Sequence, residues 1–362
     1  MRPTLALGAI SGTSMDGIDV SMLHSDGEAL VEPGAGRTYP YAEALRQQLL
    51  DLLQAPERAC TEALTELEEA VSDAHASAVL EFMRGQSLTP GQLRVVGLHG
   101  QTVYHRPEQR FTRQLGLGQR MANRLGVQVV NRFRHADVAA GGEGAPFAPL
   151  YHRALAAKLE QPLMVLNLGG VGNVTYVDGD TVIAFDTGPA SALLDDFMLR
   201  RRGQPFDAGG ALAGSGQVDQ GMLATLMDNP YFDRPAPKSL DRNDFHARAH
   251  LVDSLSDADG AATLAAFTVE SVAAALDHVP GRPRCWLVTG GGRHNATFMR
   301  RLAARLGVAV QPVEAVGWNG DFIEAQCFGY LALRSLLGLP LSLPGTTGVP
   351  RPMPGGELWQ PA

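Results

Sequence analysis

Two stretches decide how this chain folds: Thr4–Leu23, TLALGAISGTSMDGIDVSML, and Leu163–Val177, LMVLNLGGVGNVTYV. Each begins with an apolar run, breaks at a glycine-rich polar turn and resumes as a second apolar run. That is the pattern of strand, turn, strand. In the first copy the turn is Ser11-Gly12-Thr13-Ser14-Met15-Asp16-Gly17; in the second it is Gly169-Gly170-Val171-Gly172-Asn173. A motif that restarts after some 160 residues points to two related halves.

Around these hairpins, strand and helix patterns alternate. After the first come helical patterns at about 42–53 and across Leu64, Leu67, Val71, Ala74, Ala78 and Phe82, whose spacing follows the helical period. A strand at 94–98 then delivers His99-Gly100-Gln101-Thr102, and another at 127–130 leads to Arg134 and Asp137. After the second come a strand at 181–185 ending in a turn, Asp186-Thr187-Gly188-Pro189, and a helix at about 191–201. A long alanine-rich helix at 261–278, a strand at 285–289 ending in Gly290-Gly291-Gly292, and helices at about 295–306 and 321–336 follow. Strands alternating with helices give an α/β class. The expected division is a first domain at 1–130 completed by about 340–362, and a second at 131–339.

Composition narrows the function. The chain of 362 residues has 38 acidic and 30 basic side chains, a net charge of −8, which disfavours nucleic acid as a partner. A 45% apolar share supports a packed core and excludes a disordered chain. Three widely spaced cysteines, Cys60, Cys285 and Cys327, argue against a disulfide scaffold and for a reducing, cytoplasmic setting. No window of about 18 apolar residues suggests a membrane span. The 41 glycines exceed the ordinary share of about 7% and imply turns where the backbone comes close to something.

A glycine turn can hold phosphate through its backbone N–H groups. The P-loop pattern is absent, and Gly116-Leu117-Gly118 lacks the third glycine of a dinucleotide fingerprint. The two hairpin turns could instead hold the phosphates of a nucleotide, with Gly290–Gly292 seating the nucleoside. Asp186, at a strand end, suits a general base in phosphoryl transfer; the alternative is an aspartate capping the next turn. His246 and His250 share helical spacing, but without a third ligand they read as a solvated helix rather than a metal site. Lys238 reads as a surface lysine of a polar loop, with a phosphate contact as the alternative.

The chain resembles the 1,6-anhydro-N-acetylmuramic acid kinase family of bacteria. The match runs in order through SGTSMDGID (Ser11–Asp19), GLHGQTVYHRP (Gly97–Pro107), LGLGQ (Leu115–Gln119), RHADVAAGGEGAPFAP (Arg134–Pro149), LNLGGVGNVT (Leu166–Thr175), FDTGPA (Phe185–Ala190), TGGGRHN (Thr289–Asn295) and the helix start Glu324-Ala325-Gln326. The resemblance implies two RNase H-like domains of the actin and sugar-kinase kind, with nucleotide in the cleft between them and domain closure during turnover. It implies ATP with Mg²⁺ as cofactor and a reaction in which water opens the anhydro ring while O6 takes the γ-phosphoryl group.

The resemblance makes Asp186 the base that activates water. It places Gly12, Thr13, Ser14, Met15, Asp16, Gly17, Ile18 and Asp19 at the ATP phosphates, with Gly169, Gly170, Gly172 and Asn173, and Gly290, Gly291 and Gly292 beside adenosine. His99, Gln101, Thr102, Arg134, Asp137 and Glu324 fall in segments used around the sugar, Arg134 suiting the lactyl carboxylate. The Mg²⁺ ligands stay unassigned. The expected partners are the sugar and ATP, without nucleic acid or membrane, and a homodimer is considered. The alternatives are a kinase of an ordinary sugar hydroxyl and a non-catalytic actin-like ATP-binding protein. Three stretches depart from the family pattern: Ala190-Ser191, the carboxylate at Glu143, and Ala236–Asn243 around Lys238.

Overall fold

In a computed structural model of the chain, residues 2–12, 15–240 and 245–362 are described. Their strands, in chain order, are β1 (Thr4–Ser11), β2 (Ile18–Ser25), β3 (Val31–Tyr39), β4 (Leu93–Arg106), β5 (Phe111–Leu115), β6 (Val129–Asn131), β7 (Leu163–Leu168), β8 (Val171–Asp178), β9 (Thr181–Pro189), β10 (Cys285–Thr289), β11 (Ala309–Pro312) and β12 (Glu357–Trp359). The chain divides into two compact units, Met1–Ala157 with Phe322–Ala362, and Lys158–Asp321.

The restart is real. The sheet of the first unit runs β12-β6-β4-β1-β2-β3, with β5 on β4; that of the second runs β11-β10-β7-β8-β9. Each begins with an antiparallel hairpin, β1–β2 or β7–β8, whose first strand also pairs in parallel with the strand arriving later, β4 or β10. The strands at 163–168 and 285–289 occupy the residues their apolar patterns predict.

The expected domain boundaries shift. Residues 131–157 belong to the first unit, because helix Pro149–Leu155 is held by long-range contacts: Tyr151 Oη donates to Gln326 Oε1 at 3.1 Å, and the Tyr151 and Tyr330 rings lie 5.4 Å apart. Gln326 and Tyr330 sit on helix Ile323–Leu336, which covers β1, β2 and β4, so the return crossing comes at 321/322 rather than 340. The helix lies so close to β1 that a Cβ at Gly8 would run into the Ala325 carbonyl. Sequence composition does not register contacts between residues so far apart along the chain.

Each unit has its own core. In the first, Leu7, Leu49, Val79, Phe82, Leu98 and Met121 meet beneath the sheet; in the second, Leu166, Phe185, Phe197, Phe267, Trp286 and Phe298 do. Each such side chain stabilises its unit by roughly 1.5–3 kcal/mol. The segment Asp257–His278 reaches a mean hydropathy of 1.2 over 18 residues, but 78% of that window is buried, so its apolar surface is core surface. The three cysteines are all free.

Two local readings change. Asp186–Pro189 is not a turn: β9 continues through Pro189, because a register shift between Gly172 and Asn173 lets Asp186 pair with Asn173 and Gly188 with Gly172. Strands β3, β5 and β12 carry polar or glycine-rich sequences without a clear apolar alternation, and only their neighbours in the sheet make them strands.

Candidate active site

In the second unit, the sequence-predicted residues converge. β7 and β10 are adjacent and parallel, so their glycine turns leave the same sheet edge, where α/β proteins bind ligands. Gly290 takes φ +77°, and a Cβ there would strike Asn167 Oδ1 and Leu168. Glycine alone lets the 290–292 turn close on the end of β7. Arg293, 7% exposed, fixes that turn by donating through Nη1 to the Gly290 carbonyl at 3.0 Å, while Nε reaches Glu314 at 3.0 Å and Nη2 reaches Asp321 at 2.6 Å.

The Gly169 turn is oriented by its carbonyls. The Gly169 oxygen accepts from Ser191 N (2.9 Å) and Ser191 Oγ (3.0 Å), and the Gly170 oxygen from Ala190 N at 3.0 Å. In a trans peptide the carbonyl and the following N–H point oppositely. With both carbonyls turned toward helix Ala192–Arg202, the N–H groups of Gly170 and Val171 face the other way, in the orientation an anion requires. Ser191, one of the departures from the family pattern, thus helps set this turn.

Asp186 stands opposite Asn173 across the β8–β9 ladder, next to the Gly169 turn, while β7 and β8 lie between its strand and β10. A loop holds it from behind: Asp186 N donates to Lys238 O (2.9 Å), Leu240 N to Asp186 Oδ2 (2.9 Å), and Tyr231 Oη to Asp186 O (2.6 Å). Lys238 is not a surface lysine; it is 4% exposed, with Nζ donating to the carbonyls of Tyr231 and Phe232. A polar-looking loop sequence does not reveal which of its side chains folds inward. Asp241, Arg242 and Asn243 lie outside the described residues.

In the first unit, Arg134 organises the predicted sugar segments. Its Nε donates to His99 Nε2 (3.0 Å), its Nη1 donates to the Gly144 carbonyl (2.5 Å), and its guanidinium lies 5.7 Å from the Phe147 ring centroid. Burial lowers its pKa, with Glu324 the leading opposing charge. His99 Nδ1 bonds the Gly100 carbonyl at 3.0 Å. These partners make His99 the neutral tautomer with the proton on Nδ1. Burial and then the Arg134 charge hold its pKa well below the ordinary value.

Asp137, 2% exposed, accepts from Gly144 N (2.7 Å) and Thr347 Oγ1 (2.6 Å), tying down the loop whose carbonyl meets Arg134. His105 Nε2 bonds the Glu143 carbonyl of the same loop at 2.9 Å. Glu324, at the start of helix Ile323–Leu336, is raised above the usual carboxylate range by desolvation, with Arg134 opposing and Asp19 reinforcing the rise. Its side chain still reaches solvent and keeps part of its hydration.

The first glycine turn is built partly from β4. Ser11 Oγ donates to Gln101 Oε1 (2.5 Å), and Gln101 Nε2 donates to the Gly12 carbonyl (3.3 Å). Buried Met15 and Gly17 seat the rest of the turn, Ile18 opens β2, and Asp19 Oδ1 accepts from Thr38 Oγ1 at 2.6 Å. Asp16 is exposed; Thr13 and Ser14 lie outside the described residues. Thr102 pairs with Gln114 on β5. Sequence reasoning passed over Arg293 and Tyr231; each is a bracket to a backbone carbonyl, a role that leaves no local pattern. Among the described residues no group of three metal-ligating side chains forms, and His246 and His250 lie beside Asp196 (3.1 Å) and Asp253 (2.7 Å).

Five histidines of the first unit, His75, His99, His105, His135 and His152, are driven below the ordinary value, burial being the largest cause in each, with His75, His105 and His152 near 4. The unfolded chain binds protons near pH 6.5 that these folded rings refuse. Their contribution to stability is therefore complete above about pH 6.5 and falls as pH drops toward 4, by up to about 1.4 kcal/mol per pH unit for each fully buried ring. The urea midpoint is expected to be lower at pH 5 than at pH 7; equal midpoints would show that the rings are solvated.

The family model for anhydro-N-acetylmuramic acid kinase matches residues 4–360. The chain is 52% identical over 359 residues to the anhydro-N-acetylmuramic acid kinase of Rhodospirillum rubrum, covering 99% of this chain and 94% of that one. It is 48% identical to the enzyme of that name from Rhizorhabdus wittichii, covering 100% of each. Among solved structures, the activator of the 2-hydroxyisocaproyl-CoA dehydratase from Clostridium difficile with bound ADPNP is similar at a TM-score of 0.47 and 12% identity, over 91% of this chain and 94% of that one, a likeness too distant to bear on function. The chain belongs to the anhydro-N-acetylmuramic acid kinase family.

Proposed function

We propose that this chain uses ATP and water to convert 1,6-anhydro-N-acetylmuramic acid into N-acetylmuramic acid 6-phosphate and ADP. The observation that carries the reading is Asp186, braced by a loop and paired with Asn173 at the end of the Gly169 turn, on the sheet whose strand β10 carries the turn at 290–292. In the reaction Asp186 takes a proton from water as the water oxygen bonds to C1. The C1–O6 bond breaks, O6 accepts the γ-phosphoryl group, and ADP leaves with the electrons of the broken phosphoanhydride bond.

The Gly170 and Val171 N–H groups suit phosphate oxygens, as does the Gly12–Asp19 turn, and the turn at 290–292 borders adenosine. Arg134 uses one N–H on His99 and one on Gly144, leaving Nη2 directed to a carboxylate such as the lactyl group. His99, Gln101 and Asp137 act behind the ligand, bracing Arg134, Gly12 and Gly144, while Thr102 and Glu324 stand with the sugar segments. Asp16 and Asp19 are hard oxygen donors flanking the first turn, and they fit a Mg²⁺ ion arriving with ATP, which takes few protein ligands. When bound, Mg²⁺ offsets phosphate charge. The setting is the cytoplasm, in the recycling of cell-wall sugars.

Incubation with ATP and the anhydro sugar in ¹⁸O-water is expected to yield a product carrying both a phosphate and one labelled oxygen at C1. Phosphorylation of the open amino sugar alone would identify an ordinary hydroxyl kinase, and nucleotide binding without sugar-dependent ADP release would identify a non-catalytic protein.

A further inference from the structure

The loop behind Asp186 has an internal support that takes no part in the bond-making steps. Lys238 Nζ lies 3.0 Å from the Tyr231 carbonyl and 2.9 Å from that of Phe232, joining the start of the loop to its end. The ammonium also faces two aromatic rings, 4.9 Å from the Tyr231 centroid and 5.8 Å from that of Phe185. His278 Nε2 is 2.8 Å from the Phe232 carbonyl and 3.2 Å from Nζ; the shorter contact sets the ring N–H on the carbonyl, which it shares with the lysine.

A buried ammonium gives up its hydration, and here carbonyls and ring faces offset that loss. The same segment supplies three bonds to Asp186: Tyr231 Oη to its carbonyl, Lys238 O to its N–H, and Leu240 N to its carboxylate. Asp186 follows Phe185 directly, so the ring beneath the ammonium belongs to the residue preceding the proposed base.

We propose that Lys238 is a positioning residue, whose ammonium closes the 231–240 loop and thereby aims the Asp186 carboxylate. Resting on the reading of Asp186 as base, this assigns a reaction role to a lysine that reaches no phosphate. Burial, the leading cause, brings its pKa down to about 8, with Arg234 lowering and Asp233 raising it, in keeping with an ammonium enclosed by protein.

The test is a double-mutant cycle of Lys238→Met and Asp186→Asn, read by kcat, sugar KM and the Kd of a non-hydrolysable ATP analogue. Lys238→Met is expected to lower kcat about 10- to 100-fold, the scale of a misplaced catalytic group, while KM and Kd stay within about threefold. In the Asp186→Asn background it should add less than about twofold, because two residues acting through one carboxylate are not additive. Unchanged kcat in Lys238→Met, or a full multiplicative loss in the double variant, overturns the proposal. Should Lys238→Met be insoluble, Tyr231→Phe decides. Loss of the hydroxyl donating to Asp186 should cut kcat about 3- to 10-fold at unchanged Kd, and an unaltered kcat is the overturning result. Turnover retained in Asp186→Asn alone would instead sink the base reading, and this inference with it.

Discussion

Replacing Asp186 by asparagine is expected to lower kcat at least about 100-fold while ATP affinity stays within a few-fold, the lower range for loss of a general base. The substitution is close to isosteric. The amide oxygen can still accept from Leu240 N, and the backbone bonds to Lys238 and Tyr231 do not involve the side chain. What disappears is a group able to take the proton from water. The glycine turns at Gly169 and Gly290 are fixed by their own bonds with Ser191 and Arg293, so nucleotide binding should survive. Single-turnover measurements would separate the chemical step from product release, and near-normal turnover would remove Asp186 from the mechanism.

Arg134→Ala is expected to raise the sugar KM by roughly 30-fold or more, corresponding to the 2–5 kcal/mol lost when one partner of a desolvated charge pair is truncated. Two of the five N–H groups are spent on His99 and Gly144, which pins the guanidinium plane and directs its remaining edge. Alanine removes the charge and also leaves His99 Nε2 and the Gly144 carbonyl without their donor. Lysine should not rescue, because a single ammonium cannot meet His99, Gly144 and a carboxylate with one planar fork. Comparison of the lactyl-bearing sugar with an anhydro sugar lacking that group isolates the contact. If Arg134 faces the carboxylate, the variant loses its preference between the two; an unchanged KM would place the carboxylate elsewhere.

The glycine turns were legible because a strand pattern interrupted by glycine is local information, and Asp186 because it closes an apolar run. The side chains that brace them were not. Gln101 and His99 read as polar groups for a sugar, yet Gln101 holds the Gly12 carbonyl and His99 accepts from Arg134. Asp137 likewise read as a sugar group and ties Thr347 to the Gly144 loop across more than 200 residues. Lys238 read as a surface lysine because its neighbours are polar and proline-rich, and tertiary structure buried it against Tyr231 and Phe185. Such partners are assigned by chain crossings that no spacing encodes.

By itself, the sequence determined the α/β class, the doubled hairpin, the strand ends that carry glycine, and the ordered motifs that identify the family. All of these follow from short-range periodicity and from glycine's freedom to turn and to let other groups approach closely. Tertiary structure alone decided that residues 131–157 and 322–339 join the first unit, that Asp186–Pro189 continue as strand, and that Lys238 and Arg293 point inward to hold backbone carbonyls. The reason is burial: a polar side chain drawn into a core must find a partner, and that partner is supplied by whichever distant segment the fold brings against it.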